Sequence, residues 1–175
     1  KIFSISKKPI KKILLMFGAT DDEKLIKKIS PFFIDKDFDV TLVTGFNNYD
    51  DIINDKNLKN SLNINITASI DEMAKSFINQ DLVVTTPGIT AYELSTLGVP
   101  SIFISSNHSQ FLLATEMMKK GFGINYGSWD DDFQRFENIL FQLNDFDIRE
   151  KMYKNGRKII DGKGLSRVVD KLIKF

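Results

Sequence analysis

Short apolar runs alternate with amphipathic stretches along most of this chain, and that alternation predicts an α/β fold. Two further observations narrow the prediction to a Rossmann-like doubly wound sheet of about six parallel strands. The runs at Ile13 to Phe17, Asp81 to Thr85 and Val99 to Ser105 are largely unbroken, as strands covered on both faces must be. Glycine or Pro-Gly stands between several of these runs and the next helical pattern, the punctuation of βαβ units with right-handed crossovers.

Lys11-Lys12 lead into the first strand, Ile13 to Phe17, which Gly18 ends. Thr20 can cap the next helix, with Asp21, Asp22 and Glu23 in a first turn where the helix dipole favours anions. Leu25, Ile26 and Ile29 supply its apolar stripe, and Pro31 bends or ends it. Phe38 to Thr44 reads as the second strand, stopped by Gly45, and Asn47 to Lys59 as a polar, weakly helical connection. Leu62 to Thr67 alternates like an outer strand. Ser69 and Glu72 match a capping box heading a helix that carries Met73, Phe77 and Ile78. Beyond the strand at 81–85 come a helix over 89–97, a strand over 99–105 and a helix over 110–120 that stops at Gly121. A strand over 122–126, helices over 131–143 and 148–160, and a last helix from Leu165 complete the pattern.

A chain of 175 residues has the length of one well-buried domain, so residues 1–175 read as a single unit. A net charge of +1 offers no strongly basic face for nucleic acid. The absence of cysteine excludes disulfides and thiolate zinc sites, and a single histidine excludes a poly-His metal site. No apolar run approaches the ~20 residues that span a bilayer. The opening Lys1-Ile2-Phe3-Ser4 lacks both an initiator methionine and the apolar core of a signal peptide. The expectation is a cytoplasmic protein and a fragment of something longer.

The segment from Asp81 to Gln110 carries most of the chemistry. Two β-branched runs bracket Thr85-Thr86-Pro87-Gly88-Ile89-Thr90, with Glu93 one turn further on, and a polar turn from Ser105 to Gln110 follows. This order places two helix N-termini side by side at one edge of a parallel sheet, where α/β proteins hold phosphates and sugars. Gly88 lets a ligand approach backbone amides, and Thr86 and Thr90 add hydroxyls, so the turn can cradle a diphosphate. Glu93 can accept hydrogen bonds from the two adjacent hydroxyls of a ribose, and equally reads as a surface acid near a helix start. Phe17 to Asp21 forms a second turn after a strand, with Gly18, Ala19 and Thr20 at its centre. Both turns also read as ordinary strand-to-helix connections. Neither is the GxGxxG fingerprint, and Thr44-Gly45 stands where a dehydrogenase closes its second strand with an acid. Asn107, His108 and Gln110 can hydrogen-bond a sugar or phosphate. No carboxylate is spaced to partner His108 as a general base, and the catalytic residue stays unassigned.

These residues carry a resemblance. Pro87 to Ile104 (PGITAYELSTLGVPSIFI), followed by the polar turn ending in Gln110, resembles the nucleotide-sugar half of the GT-B superfamily. The likeness is greatest to the UDP-sugar hydrolases of pseudaminic acid biosynthesis and the related spore-coat polysaccharide biosynthesis proteins. The peptidoglycan N-acetylglucosaminyltransferases are similar but more distant. Ile13 to Asp21 (ILLMFGATD) resembles the first strand and phosphate-facing turn of that half, and Asp161 to Val168 (DGKGLSRV) the closing segment of the hydrolases.

The resemblance implies a GT-B C-terminal domain. Gly18, Ala19 and Thr20 would approach the diphosphate or sugar, Gly88, Ile89 and Thr90 would offer amides and a hydroxyl to the phosphates, and Glu93 would hold the ribose. Asn107 and Gln110 would line the donor sugar, and uracil would sit near Ile66 to Met73. It further implies UDP or a UDP-sugar as ligand, no metal or cofactor, and a separate N-terminal domain bearing the catalytic histidine, so that this domain alone is inactive. The alternative is a non-catalytic docking or regulatory domain fused to a sugar-activating enzyme of the cytidylyltransferase type.

Overall fold

The computed structural model describes residues 5–18, 23–34, 36–44, 56, 63–66 and 70–173. Its strands are β1 (Lys12–Met16), β2 (Asp39–Thr44), β3 (Asn63–Ile66), β4 (Leu82–Thr85), β5 (Ser101–Ser105) and β6 (Ile124–Ser128). They form one parallel sheet in the order β3-β2-β1-β4-β5-β6, the doubly wound arrangement the sequence predicts. The helices are α1 (Glu23–Ile29), α2 (Ile70–Phe77), α3 (Ile89–Leu97), α4 (His108–Lys119), α5 (Phe136–Gln142), α6 (Phe146–Ile159) and α7 (Gly164–Leu172).

The pleat explains why the central strands are apolar throughout. Ile13, Leu15 and Phe17 enter a core with Leu25 and Ile26 of α1 and Phe136 and Leu140 of α5. Leu14 and Met16, one residue out of phase, enter the opposite core with Phe77 of α2 and Leu94 of α3. Ile13, Leu14 and Leu15 are all fully buried, each worth roughly 1.5–3 kcal/mol of transfer free energy. A third cluster, with Phe103 of β5 and Ala114 and Met117 of α4, extends that second face.

Helix boundaries follow local chemistry. α1 ends at Ile29, and Ser30–Phe32 tighten into a 3-10 turn because Pro31 cannot continue the ladder. Gly98 ends α3 at φ 79°, donating its N–H to the carbonyls of Leu94 and Ser95. Two expected boundaries move. The sixth strand begins at Ile124 rather than Phe122, because the Phe122 N–H closes the end of α4 on the Met117 carbonyl, at 3.2 Å. The helix expected from Asp131 begins at Phe136. The Asp131 carboxylate accepts from the Ser128 N–H at 2.8 Å and the Asp132 carbonyl accepts from the Tyr126 hydroxyl at 2.7 Å. The capping box at Ser69 and Glu72, the Thr20 cap and most of the 47–59 connection lie outside the described residues or side chains.

α6 joins the two faces. Met152 belongs to the core shared with α1 and α5, while the next residue, Tyr153, packs against the core of α2 and α3. At Gly156 the helix lies so close to α3 that a Cβ would stand 2.7 Å from the Ser95 carbonyl oxygen. Near its start the buried Arg149 donates to the carbonyls of Leu143, Ser6 and Lys8, and Ile10 N–H donates to Asn144 Oδ1 at 3.0 Å. Burial lowers the pKa of this guanidinium, with the charges of Asp81 and Asp145 acting the other way. The segment leading into β1 is thereby fastened at the amino edge of the sheet. α7 has no buried residue, and Leu165, Val168, Val169 and Leu172 stand exposed along one side of it.

Candidate functional site: the crevice between β1 and β4

The strand order reverses between β1 and β4. From β1 the chain leaves to α1 on one face, and from β4 to α3 on the other, so a crevice opens beyond their carboxyl ends. The pairing Met16↔Thr85 sets those ends level. The two turns singled out in the sequence therefore emerge side by side. They touch: Thr86 Oγ1 donates to the Phe17 carbonyl at 3.1 Å, and a Cβ on Gly18 would stand 4.0 Å from that same oxygen. Gly18 has φ +100°, a conformation that L side chains rarely adopt. Ala19 and Thr20 lie outside the described residues.

Gly88 is the N-cap of α3 in an extended conformation and has no side chain to cap the helix. Of the first-turn N–H groups, that of Ala91 donates to the Gly88 carbonyl at 3.1 Å, and no side chain of the cap serves the others. Among the described residues a Cβ on Gly88 would meet nothing within 4 Å, and Ile89 beside it is 81% exposed. Of the two hydroxyls expected to help, those of Thr86 and Thr90, the first is engaged within the protein. Thr85 Oγ1 donates to the Thr86 carbonyl at 3.2 Å, and Thr86 Oγ1 is held by Phe17.

The neighbouring helix start, at α4, is built differently. Asn107 is its N-cap, accepting from the Gln110 N–H at 3.0 Å. Gln110 Oε1 in turn accepts from Ser106 N–H at 2.8 Å and Ser106 Oγ at 2.9 Å. This is a variant of the capping box. The side-chain oxygens of Asn107 and Gln110 are used inside the turn, and the helix starts two residues earlier than the sequence pattern suggests. His108 is its exposed first residue. Just before the turn, Ser105 Oγ is buried and, among the described residues, has no hydrogen-bond partner.

Glu93 is exposed on the second turn of α3. It lines a groove of about 360 Å³ with Met73, Ala74 and Phe77 of α2 and Thr96 and Leu97 of α3. The structure thus brings Glu93 beside Met73, the last residue of the segment expected to read the base. Ile66 ends β3, and residues 67–69 lie outside the described set. A second cavity, about 370 Å³, lies between α3, α4 and the end of α6, lined by Tyr92, Leu112, Met117, Phe122 and Ile159 among others. Its walls come from three separated elements, which no local pattern announces. Among the described residues no group of three or more His, Asp or Glu is placed to hold a metal ion.

A model of the glycosyltransferase family 28 C-terminal domain matches residues 13–161. The chain belongs to that family. The matched span takes in both turns of the crevice, Glu93 and the Asn107–Gln110 turn, and stops before α7. Similar to this family 28 domain is the UDP-N-acetylglucosamine–N-acetylmuramyl-(pentapeptide) pyrophosphoryl-undecaprenol N-acetylglucosamine transferase of Finegoldia magna. The two are 28% identical over 177 residues, covering 94% of this chain and 47% of that protein. The spore coat polysaccharide biosynthesis protein SpsG of Bacillus subtilis is 24% identical over 170 residues, covering 93% of this chain and 50% of that protein. The crystal structure of MurG from Acinetobacter baumannii superposes with a TM-score of 0.79 at 17% identity, covering all of this chain and 55% of that one, and shows the shared fold. The chain thus spans about half the length of these relatives. No helix among the described residues is long and apolar enough to cross a membrane.

Proposed function

We propose that this family 28 domain binds a UDP-sugar in the crevice between β1 and β4, as the donor-binding half of a cytoplasmic sugar-transferring or sugar-releasing enzyme of surface polysaccharide assembly. One observation carries the reading. The Gly18 and Gly88 turns touch at the point where strand order reverses, and the helix start at Gly88 carries no side-chain cap and, among the described residues, meets nothing within 4 Å of a Cβ built there. Amides at such an end suit a diphosphate, and their attraction grows as negative charge develops on the departing oxygen. In the longer protein the bond broken joins the anomeric carbon to UDP, and the acceptor is brought by another part of the molecule. The relatives support this: the Finegoldia protein, by its name, is an N-acetylglucosamine transferase with a UDP-N-acetylglucosamine donor, and the Bacillus protein serves polysaccharide synthesis.

In this reading Gly88, Ile89 and Thr90 hold the phosphates together with Gly18, Ala19 and Thr20. Glu93 takes the two ribose hydroxyls at the mouth of the groove it shares with Met73, where uracil lies. Asn107, His108 and Gln110 face the sugar across the β5–α4 turn. Calorimetric titration with UDP tests the assignment. Glu93→Gln keeps the shape of the side chain but weakens its two charge-assisted hydrogen bonds, and lowers UDP affinity about tenfold. Equal affinity in both forms removes Glu93 from the site.

A further inference from the structure

We infer that Thr86 is a positioning residue, whose hydroxyl sets the gap between the Gly18 and Gly88 turns and so tunes the crevice to a diphosphate. This rests on the nucleotide-binding reading above and goes beyond it by separating the group that shapes the site from those that touch the ligand. A threonine hydroxyl has one hydrogen to donate. In Thr86 that hydrogen goes to the Phe17 carbonyl at 3.1 Å. The oxygen keeps only lone pairs, and phosphate oxygens offer lone pairs too, so while this contact stands Thr86 cannot donate to a phosphate.

The contact spans two segments 69 residues apart in sequence, one above β1 and one above β4. It acts where the sheet has already stopped: the last paired residues are Met16 and Thr85, and no ladder bond holds the chain beyond them. Gly18 stands two residues on, and among the described residues the Thr86 oxygen alone comes within 4.0 Å of a Cβ built there. On the other side, Pro87 fixes the backbone between Thr86 and Gly88. A displacement of Thr86 is therefore passed to the start of α3, and its hydroxyl is the described side-chain link between the two turns.

Thr86→Val removes the hydroxyl at nearly constant volume, and Thr86→Ser keeps it. Each is titrated with UDP by calorimetry and with uridine by NMR chemical-shift perturbation, and each is melted. The Val variant loses about 3- to 10-fold in UDP affinity, in line with the net worth of one hydrogen bond, while uridine binds as before. The Ser variant restores UDP binding, and melting temperatures stay within a few degrees. Where the Val variant does not fold, Thr86→Ala removes the same hydroxyl and is read in the same way. Unchanged UDP affinity without the hydroxyl overturns the inference. So does an equal loss for UDP and uridine, since a looser fold would weaken both. A wild-type domain that binds neither compound refutes the nucleotide reading itself, a different result from either of these.

Discussion

Ser105 ends β5 with its hydroxyl sealed from water and, among the described residues, hydrogen-bonded to nothing. A buried polar group in that state costs about 1–3 kcal/mol. Ser105→Ala therefore stabilises the domain by about 1 kcal/mol, seen as a higher denaturation midpoint at unchanged slope. A lower midpoint would mean that the hydroxyl has a partner in solution. Single residues are also where the sequence leaves more than one reading open. Asn107 and Gln110 stand three apart at a helix start, a spacing that fits a cap as well as a sugar contact, and the structure shows their oxygens used in the cap. Thr86 looked like a ligand donor because a sequence does not show which carbonyl lies opposite. Its partner, Phe17, is remote in the chain.

The elements were far more legible. The strands and most helices appear where period and punctuation put them, within about two residues for the strands, because unbroken apolar runs and breakers are local signals. Helix starts set by side-chain partners shifted furthest, as at Phe136, where Asp131 and Asp132 serve the β6 turn. α7 offers a test at this scale. Its entry is fixed by Asp161, which accepts from Arg167 at 2.7 Å and from the Lys163 N–H at 3.0 Å. The Arg167 hydrogen bond, and then the Lys163 N–H, hold the Asp161 carboxyl down at about 2, against an ordinary value of 3.8. A depressed carboxyl stabilises the fold above its unfolded value and ceases to do so as the proton binds. The tether is thus complete above about pH 4 and is lost as pH falls through about 2. Protection of the α7 amides, measured against the intrinsic exchange rate at each pH, falls across that window in the wild type, while Asp161→Asn shows low protection without the acid step. Identical acid profiles in the two forms would rule the tether out.

At the scale of the whole molecule, the chain spans about half the length of its relatives, and the proposed function assigns it the donor-binding half. In the proposed reading this chain holds the donor through backbone amides and Glu93, and the catalytic residue is unassigned. In that reading the 175-residue chain alone binds a UDP-sugar without releasing UDP from it, as a coupled assay for free UDP would report. Turnover by this chain would place the catalytic group inside it and overturn the division. The overall topology was readable because βαβ order and right-handed crossovers leave few arrangements. The groove shared by Glu93 and Met73 was not, since it exists only once α2 and α3 lie together.

The grip of Arg149 on Ser6 and Lys8 has a practical corollary. It pins the incoming backbone to the pole of the molecule opposite the Gly18 and Gly88 turns. A biotin or fluorophore attached just ahead of that point is carried away from the crevice, so a sensor surface that captures the 175-residue chain there leaves the Gly18 and Gly88 turns facing the bulk solution.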